Sequence, residues 1–396
     1  MRIADYELCR HGGDGAGGAA VLGASLGSER NQAIVTVEKE GVLCYDVSTQ
    51  NKVCGWPLGG KSDYSFATPA VWDPSSSHYF AVLEQRRSGA STSSDIKLVS
   101  WPTNPPGTPL SQLPTTSLPS AVHSIFPATS CSVLKKNATA DTDDDTVKTA
   151  TAIAGGVIVV GKSGTVSHHN VKGQVLSRIE AEKGADGNIL LSTVVSSSDD
   201  ISQTLATSTR IVLVSALNSK KGSFMGQIFG FERAVGTNKR DLCCLASVEL
   251  RIPKMPKGVP GEEGMQPVAA ACVDTRLSVL WSSNMWTVYE LPLGAPGAPR
   301  SAQKVDLTPV ITRHLPGLPS ASSSSSAPPV TPGRTNKRRA AAMEVAAATG
   351  VLPRVSCAWF GSKYLVVAIP AGDEVALAVL DADYGCVHAS WRLEGA

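Results

Sequence analysis

Apolar and polar positions along this chain alternate in short runs broken by Gly, Asn, Asp and Ser, which is the pattern of strands rather than helices. Residues 33–58 show it most clearly. Residues 33–37 are a β-branched run, Glu38-Lys39-Glu40-Gly41 a turn, 42–47 a second run, Ser48-Thr49-Gln50-Asn51 another turn, and 52–56 a third run. Three strands joined by two tight turns form a meander. The end of the chain repeats it: 364–369, a turn at 370–373, 375–380, a turn at 381–385, then 386–393. Asp46 stands ten residues before Trp56, and Asp381 stands ten before Trp391. A third copy, residues 157–179, keeps the strand and turn lengths without the Asp and Trp.

One sheet-forming unit used at both ends and in the middle predicts radial repetition, most economically a β-propeller. Asp46 and Asp381 are 335 residues apart (381 − 46). With a linker removed, that leaves about 50 residues per step over six steps, within the range of blade repeats. The expected fold class is all-β, a seven-bladed WD40-like β-propeller with a disordered basic linker before the last blade. Its expected organisation is residues 1–315 for blades 1–6, 316–351 for the linker, and 352–396 for the last blade closing the ring.

Between these landmarks, residues 66–72 and 78–83 predict a hairpin across 73–77, and 95–101 a further strand. Residues 102–119 are rich in Pro, Thr and Ser and predict a surface loop, because proline cannot donate to a ladder. Residues 135–148 carry Asp141, Asp143, Asp144 and Asp145 but lack the spacing and glycine of an EF-hand loop, so a solvated loop is expected. Downstream, 189–195, 210–214, 225–232, 242–250, 267–273, 277–281 and 286–291 read as strands. Residues 316–351, with the Ser322–Ser326 run and Pro328, Pro329 and Pro332, have too few large apolar residues to bury a core.

The 396 residues are 42% hydrophobic and 18% charged with a formal net charge of +2, so binding nucleic acid through a pervasive positive field is not expected. Nine cysteines occur without a C-x-x-C pair, and Cys44, Cys54, Cys272, Cys357 and Cys386 fall in strand-like runs as small apolar residues. Reduced thiols in an intracellular protein are expected. No apolar run has the length of a signal peptide or a membrane span, and the Asn137-Ala138-Thr139 sequon is expected to be silent.

Enzyme motifs are matched only in letters. Gly13-Asp14-Gly15-Ala16-Gly17-Gly18 fits G-x-G-x-x-G, but the residues before it do not form the buried strand a dinucleotide site needs. Gly23-Ala24-Ser25-Leu26-Gly27 fits G-x-S-x-G without a following helical period, so a loop or first strand is expected. His168 and His169 adjoin in a strand-like run and should face opposite ways, unable to share an ion. No catalytic residue, cofactor or metal is expected. The densest basic cluster, Arg334, Lys337, Arg338 and Arg339, is a candidate nuclear-localisation signal or local phosphate contact, with plain solubilising charge as the alternative.

The segment Val42-Leu43-Cys44-Tyr45-Asp46-Val47-Ser48-Thr49-Gln50, then Gly55-Trp56, Ala67-Thr68-Pro69-Ala70-Val71 and His78-Tyr79-Phe80-Ala81-Val82, resembles the first blades of the nucleolar protein 11-like family, and residues 267–279 resemble a later part. The convincing match covers about a seventh of the chain. This resemblance implies a non-catalytic WD-like propeller of the small-subunit processome in the nucleus and nucleolus, supporting pre-ribosomal RNA transcription and early 18S processing. Implied partners are other propeller subunits and a local or indirect pre-rRNA contact, with no membrane and no small-molecule substrate. Family members usually continue into a C-terminal helical region, so helix-mediated contacts are in question here. The alternative expectation is a cytoplasmic coat or trafficking propeller scaffold.

Overall fold

The computed structural model describes residues 21–394 except 30, 39, 50, 60–63, 87–93, 103–105, 129–154, 182–188, 197–208, 217–222, 234–239, 253–264, 283, 293–304, 316–354 and 372–373. Among them are 26 strands, one 3-10 turn and no α-helix, so the chain is all-β. It divides into two compact units: Met1–Trp72 with Tyr79–Leu118, and Asp73–His78 with Pro119–Ala396.

The first unit opens with the expected meander. β1 (Val21–Leu26), β2 (Gln32–Val37), β3 (Gly41–Asp46) and β4 (Lys52–Pro57) pair antiparallel in that order. Val42, Leu43 and Cys44 are all buried, as a central strand covered on both faces must be. Gly41 begins this strand at φ +144°, and a Cβ there would meet the Trp56 carbonyl oxygen at 2.2 Å, so only glycine fits.

A second sheet follows: β5 (Tyr64–Phe66), β6 (Val71–Asp73), β7 (His78–Arg86), β8 (Ser94–Pro102) and β9 (Thr115–Leu118), with β5 and β6 both on β7. Two expectations are corrected here. The single strand expected over 66–72 is two strands, because the chain swerves so that Ala70 N–H donates to Thr36 Oγ1 at 2.8 Å while Ser25 Oγ donates to the Ala70 carbonyl at 2.9 Å. The expected loop over 102–119 contains a 3-10 turn at Leu110–Gln112 and the strand β9, which pairs with β8. Thr115-Thr116-Ser117-Leu118 falls between prolines and keeps all its N–H groups for the ladder. The rings of Trp56, Trp72, Tyr79 and Trp101 pack at centroid distances of 4.6–5.8 Å in the core of this unit.

The second unit holds four meanders. The first is β10 (Val122–Pro127), β11 (Val157–Gly161), β12 (Thr165–His169) and β13 (Val175–Glu180). The next is β14 (Ile189–Ser196), β15 (Ile211–Ala216), β16 (Ser223–Arg233) and β17 (Arg240–Arg251). The third is β18 (Pro267–Val273), β19 (Arg276–Trp281), β20 (Met285–Glu290) and, after β21 (Val305–Leu307), β22 (Ile311–His314). The last is β23 (Ser356–Phe360), β24 (Tyr364–Ala371), β25 (Glu374–Asp381) and β26 (Cys386–Glu394). The strand β21 lies parallel along the outer edge of β17. The strands β10, β21, β22 and β23 were not foreseen; β21 and β22 are only three and four residues long and carry almost no period of their own.

These meanders stack face to face in chain order. One core joins Ile158 and Val160 to Ile211, Leu213 and Phe229. Another joins Val212, Val214 and Val248 to Leu277, Val279 and Tyr289, and a third joins Leu280, Trp286 and Val288 to Leu365, Val367 and Leu380. The first strands of two successive meanders are neighbours that run in the same direction: β14 pairs parallel with β18 at Val195↔Cys272 and Ser196↔Val273. Described residues therefore supply six meanders, two in the first unit and four in the second, in five hydrogen-bonded sheets, because the β14–β18 pairing joins two of the meanders into one nine-stranded sheet; seven blades were expected.

Candidate interaction surface

One end of the last two meanders carries a set of exposed aromatic and cationic side chains. It is built from a turn chemistry that recurs along the chain. At the end of β25, Asp381 Oδ1 accepts the N–H groups of Asp383 at 2.9 Å and Tyr384 at 3.1 Å, and Gly385 closes the turn at φ +62°. Burial pushes this carboxyl up, but those N–H groups and Lys363 outweigh it and hold it below the usual carboxylate range. With its backbone fixed, the turn presents Tyr384, which is 74% exposed.

Lys363 lies between the rings. Its Nζ is 5.1 Å from the Tyr364 ring centroid, 5.5 Å from that of Tyr384 and 3.5 Å from Asp381 Oδ2. The Tyr364 side chain bonded to it, helped by the Asp381 charge, holds the ammonium above its ordinary range. From the preceding meander, Arg276 Nη1 donates to the Ser362 carbonyl at 3.2 Å and reaches Asp383 Oδ1 at 3.4 Å. Arg313 Nε donates to the Gly385 carbonyl at 2.8 Å. Phe360, at the end of β23, and Val310, just before β22, are both about two-thirds exposed.

Exposed Tyr and Phe beside Arg are side-chain types enriched in protein-binding surfaces. Sequence reasoning singled out none of these residues; the available signal was an aromatic, Tyr384, inside a turn that opens with Asp and closes with Gly. The candidate localisation residues Arg334, Lys337, Arg338 and Arg339 lie outside the described residues, as do Asp141–Asp145, the sequon at Asn137 and the glycine run 13–18.

Ser25 of the G-x-S-x-G match sits in β1 and bonds backbone, with no helix after it. His168 and His169 are both buried. His169 Nδ1 faces the Gly173 carbonyl at 3.1 Å, which can only accept, so Nδ1 carries the proton and Nε2 accepts from Ser167 Oγ at 2.8 Å. Burial pushes this imidazole's pKa down, which favours the neutral ring. Among the described residues no group of three or more His, Cys, Asp or Glu could hold a metal ion. Cys44 and Cys272 are buried as expected, but Cys386 is exposed, because its strand is the outer one of its sheet.

No protein-family model matches the chain, and no curated protein matches it. Its similarity is to solved structures. One, described as BBS1N in complex with ARL6DN, is 11% identical at a TM-score of 0.43, covering 91% of this chain and 75% of that one. Another, KlHsv2 with loop 6CD replaced by a Gly-Ser linker, is 8% identical at a TM-score of 0.39, covering 96% and 100%. At these scores neither likeness assigns a fold or a function.

Proposed function

We propose that this chain is a non-catalytic β-propeller scaffold that binds other proteins, and that it serves ribosome biogenesis in the nucleolus as a subunit of the small-subunit processome. The observation that carries the scaffold reading is the stacking of meanders in the second unit, with parallel first strands at Val195↔Cys272. That is the neighbour relation of blades around a propeller axis, and it leaves loops and turns as the variable surface. The Tyr384, Phe360, Arg276 and Arg313 end of the last two sheets is then the leading docking face. The processome assignment rests on the resemblance of residues 42–82 to the nucleolar protein 11-like family, and the basic residues Arg334, Lys337, Arg338 and Arg339 are the proposed import signal.

The test is affinity purification of the tagged full chain from nuclear and cytoplasmic extracts, followed by mass spectrometry and RNA sequencing. Recovery of processome subunits with pre-rRNA, reduced in a Phe360→Ala/Tyr384→Ala variant, is the expected result. Recovery of vesicle-coat subunits from cytoplasm, with nothing ribosomal from nuclei, would replace this reading by the trafficking one.

A further inference from the structure

Cys44 and Cys54 face each other across the outer hairpin of the first sheet, where β3 and β4 make them Cα partners. Among the described cysteines no other two meet in a ladder: Cys243 stands opposite Gly230, Cys244 opposite Phe229, Cys272 opposite Leu277 and Val195, Cys357 opposite Val367 and Cys386 opposite Asp381. Partners in an antiparallel pair share one face of the sheet at a Cα separation of about 4.5–5.5 Å, inside the range of about 4.4–6.8 Å that a disulfide spans. Both residues are free thiols, and their side chains interact with each other beside the core that holds Val42 and Trp56.

The two thiols differ in access. Cys44 is 1% exposed and its Sγ donates to Gln32 Oε1 at 3.5 Å, whereas Cys54 is half-buried on the outer strand, next to the exposed Val53. The register shifts beside the pair: Cys44 stands opposite Cys54 but Tyr45 opposite Lys52, so Val53 is the extra residue of a bulge. A bulge disrupts the ladder locally, which gives the facing side chains room to adjust. Burial pushes both thiols up, Cys44 to about 12, while a hydrogen bond from Cys44 and the charge of Lys52 pull Cys54 back. Cys54 is therefore the thiol that a dissolved reagent meets, with Cys44 held behind it.

We propose that Cys44 and Cys54 are a reversible redox pair, closing to a disulfide that pins β4 to β3 when the protein meets a small-molecule disulfide of the glutathione type. The Cys54 thiolate attacks one sulfur of the oxidant, forming a mixed disulfide and expelling one thiolate, which takes up a proton. Cys44 then gives its proton to solvent and its sulfur attacks the Cys54 Sγ, expelling the second thiolate. Two protein thiols are oxidised, and the S–S bond of the oxidant is reduced to two thiols. Excess thiol runs the same steps backwards, so in a reducing compartment the pair stays open until the thiol pool is oxidised. The bond joins residues that already face each other, so closure keeps the fold. What it changes is the freedom of β4, which ends its sheet and belongs to the kind of element that opens early in local unfolding.

Peptide mapping of the full chain across glutathione buffers of graded oxidation, with free thiols alkylated before digestion, tests this. Oxidation should yield an intrachain peptide joining positions 44 and 54 that excess dithiothreitol removes. Hydrogen exchange of the β4 amides should slow by ~10-fold in the oxidised chain while that of the β25 amides stays unchanged. Cys44→Ser should stop Cys54 at the mixed disulfide, and Cys54→Ser should leave Cys44 reduced at every buffer ratio. Both thiols of the unmutated chain staying alkylatable in fully oxidised glutathione would overturn the proposal. So would an unmutated chain that stops at the mixed disulfide, or one that links position 44 or 54 to another cysteine or to a second chain. These outcomes are read on the unmutated chain, so a variant that fails to fold does not remove the test. A failure here leaves the scaffold reading intact, because that reading is scored on recovered partners.

Discussion

Asp46 and Asp381 hold the same station in two sheets: each ends the third strand of its meander two residues after a bulge, and each accepts the N–H groups of the turn that follows. Asn170 repeats the arrangement at the end of β12, two residues after the bulge at His168, with its Oδ1 accepting from Lys172 and Gln174 N–H. The bulge steepens the twist and the side-chain acceptor closes the turn, so one local device sets the outer hairpin of three sheets. Hydrogen bonds from Ser48 and Thr49 hold the Asp46 carboxyl below its ordinary range.

A third aspartate, Asp73, is buried and uses its carboxylate as a hub. Its Oδ2 accepts from Ser75 Oγ at 2.8 Å, Ser76 N–H at 2.9 Å, Ser76 Oγ at 2.6 Å and Gly156 N–H at 2.9 Å. Asp73→Ala leaves those donors without their acceptor and should lower stability by about 2–4 kcal/mol in urea titration. Asp73→Asn keeps an acceptor oxygen and should lose less.

Gly156 repeats the constraint at Gly41: φ is +149°, and a Cβ would meet the His169 carbonyl oxygen at 2.0 Å. Gly41→Ala and Gly156→Ala should each cost roughly 2 kcal/mol or more, since backbone strain and a carbonyl clash add. Gly107→Ala, whose Cβ meets nothing within 4 Å, carries only the strain of φ +98° and should cost less. Thermal melts of the three variants check the order.

Stability should fall on both sides of neutral pH, for different groups. The pKa of His169 is depressed in the fold by burial. The unfolded chain therefore takes the proton first, and stability present above pH ~6.5 is lost as pH falls toward the folded value. Burial pushes the Cys272 thiol up to about 12, with Asp274 and Glu290 adding to it. Its contribution is intact below about pH 9 and is lost as pH rises from there to about 12. His169→Gln should flatten the acid limb and Cys272→Ala the alkaline limb of a Tm-against-pH curve. Unaltered limbs would contradict the assignment.

The meanders at 33–58 and 364–393 were legible because each strand carries β-branched or aromatic residues and each turn has its own Gly, Asn or Asp. The interruption of β5 and β6 was not, because it depends on Thr36 and Ser25, some 34 and 45 residues away. The shared spacing from Asp46 to Trp56 and from Asp381 to Trp391 marked equivalent register in both hairpins but not burial, which for Trp56 comes from Leu110 and its neighbours. The candidate surface was hidden for a similar reason: Arg276, Arg313 and Tyr384 are far apart in sequence and meet only when successive sheets stack.

Pairing of β14 with β18 is where the stacked-meander account is most exposed to test. Val195 and Cys272 are Cα partners in that parallel step, and partners in a sheet fall within the Cα range a disulfide can bridge, about 4.4–6.8 Å. A Val195→Cys variant of the full chain, oxidised with excess oxidised glutathione, should lose two more free thiols than the parent and yield a cross-linked peptide joining positions 195 and 272. Two thiols persisting at those positions, or a cross-link from 195 to another cysteine, would contradict the parallel neighbour relation on which the scaffold reading rests.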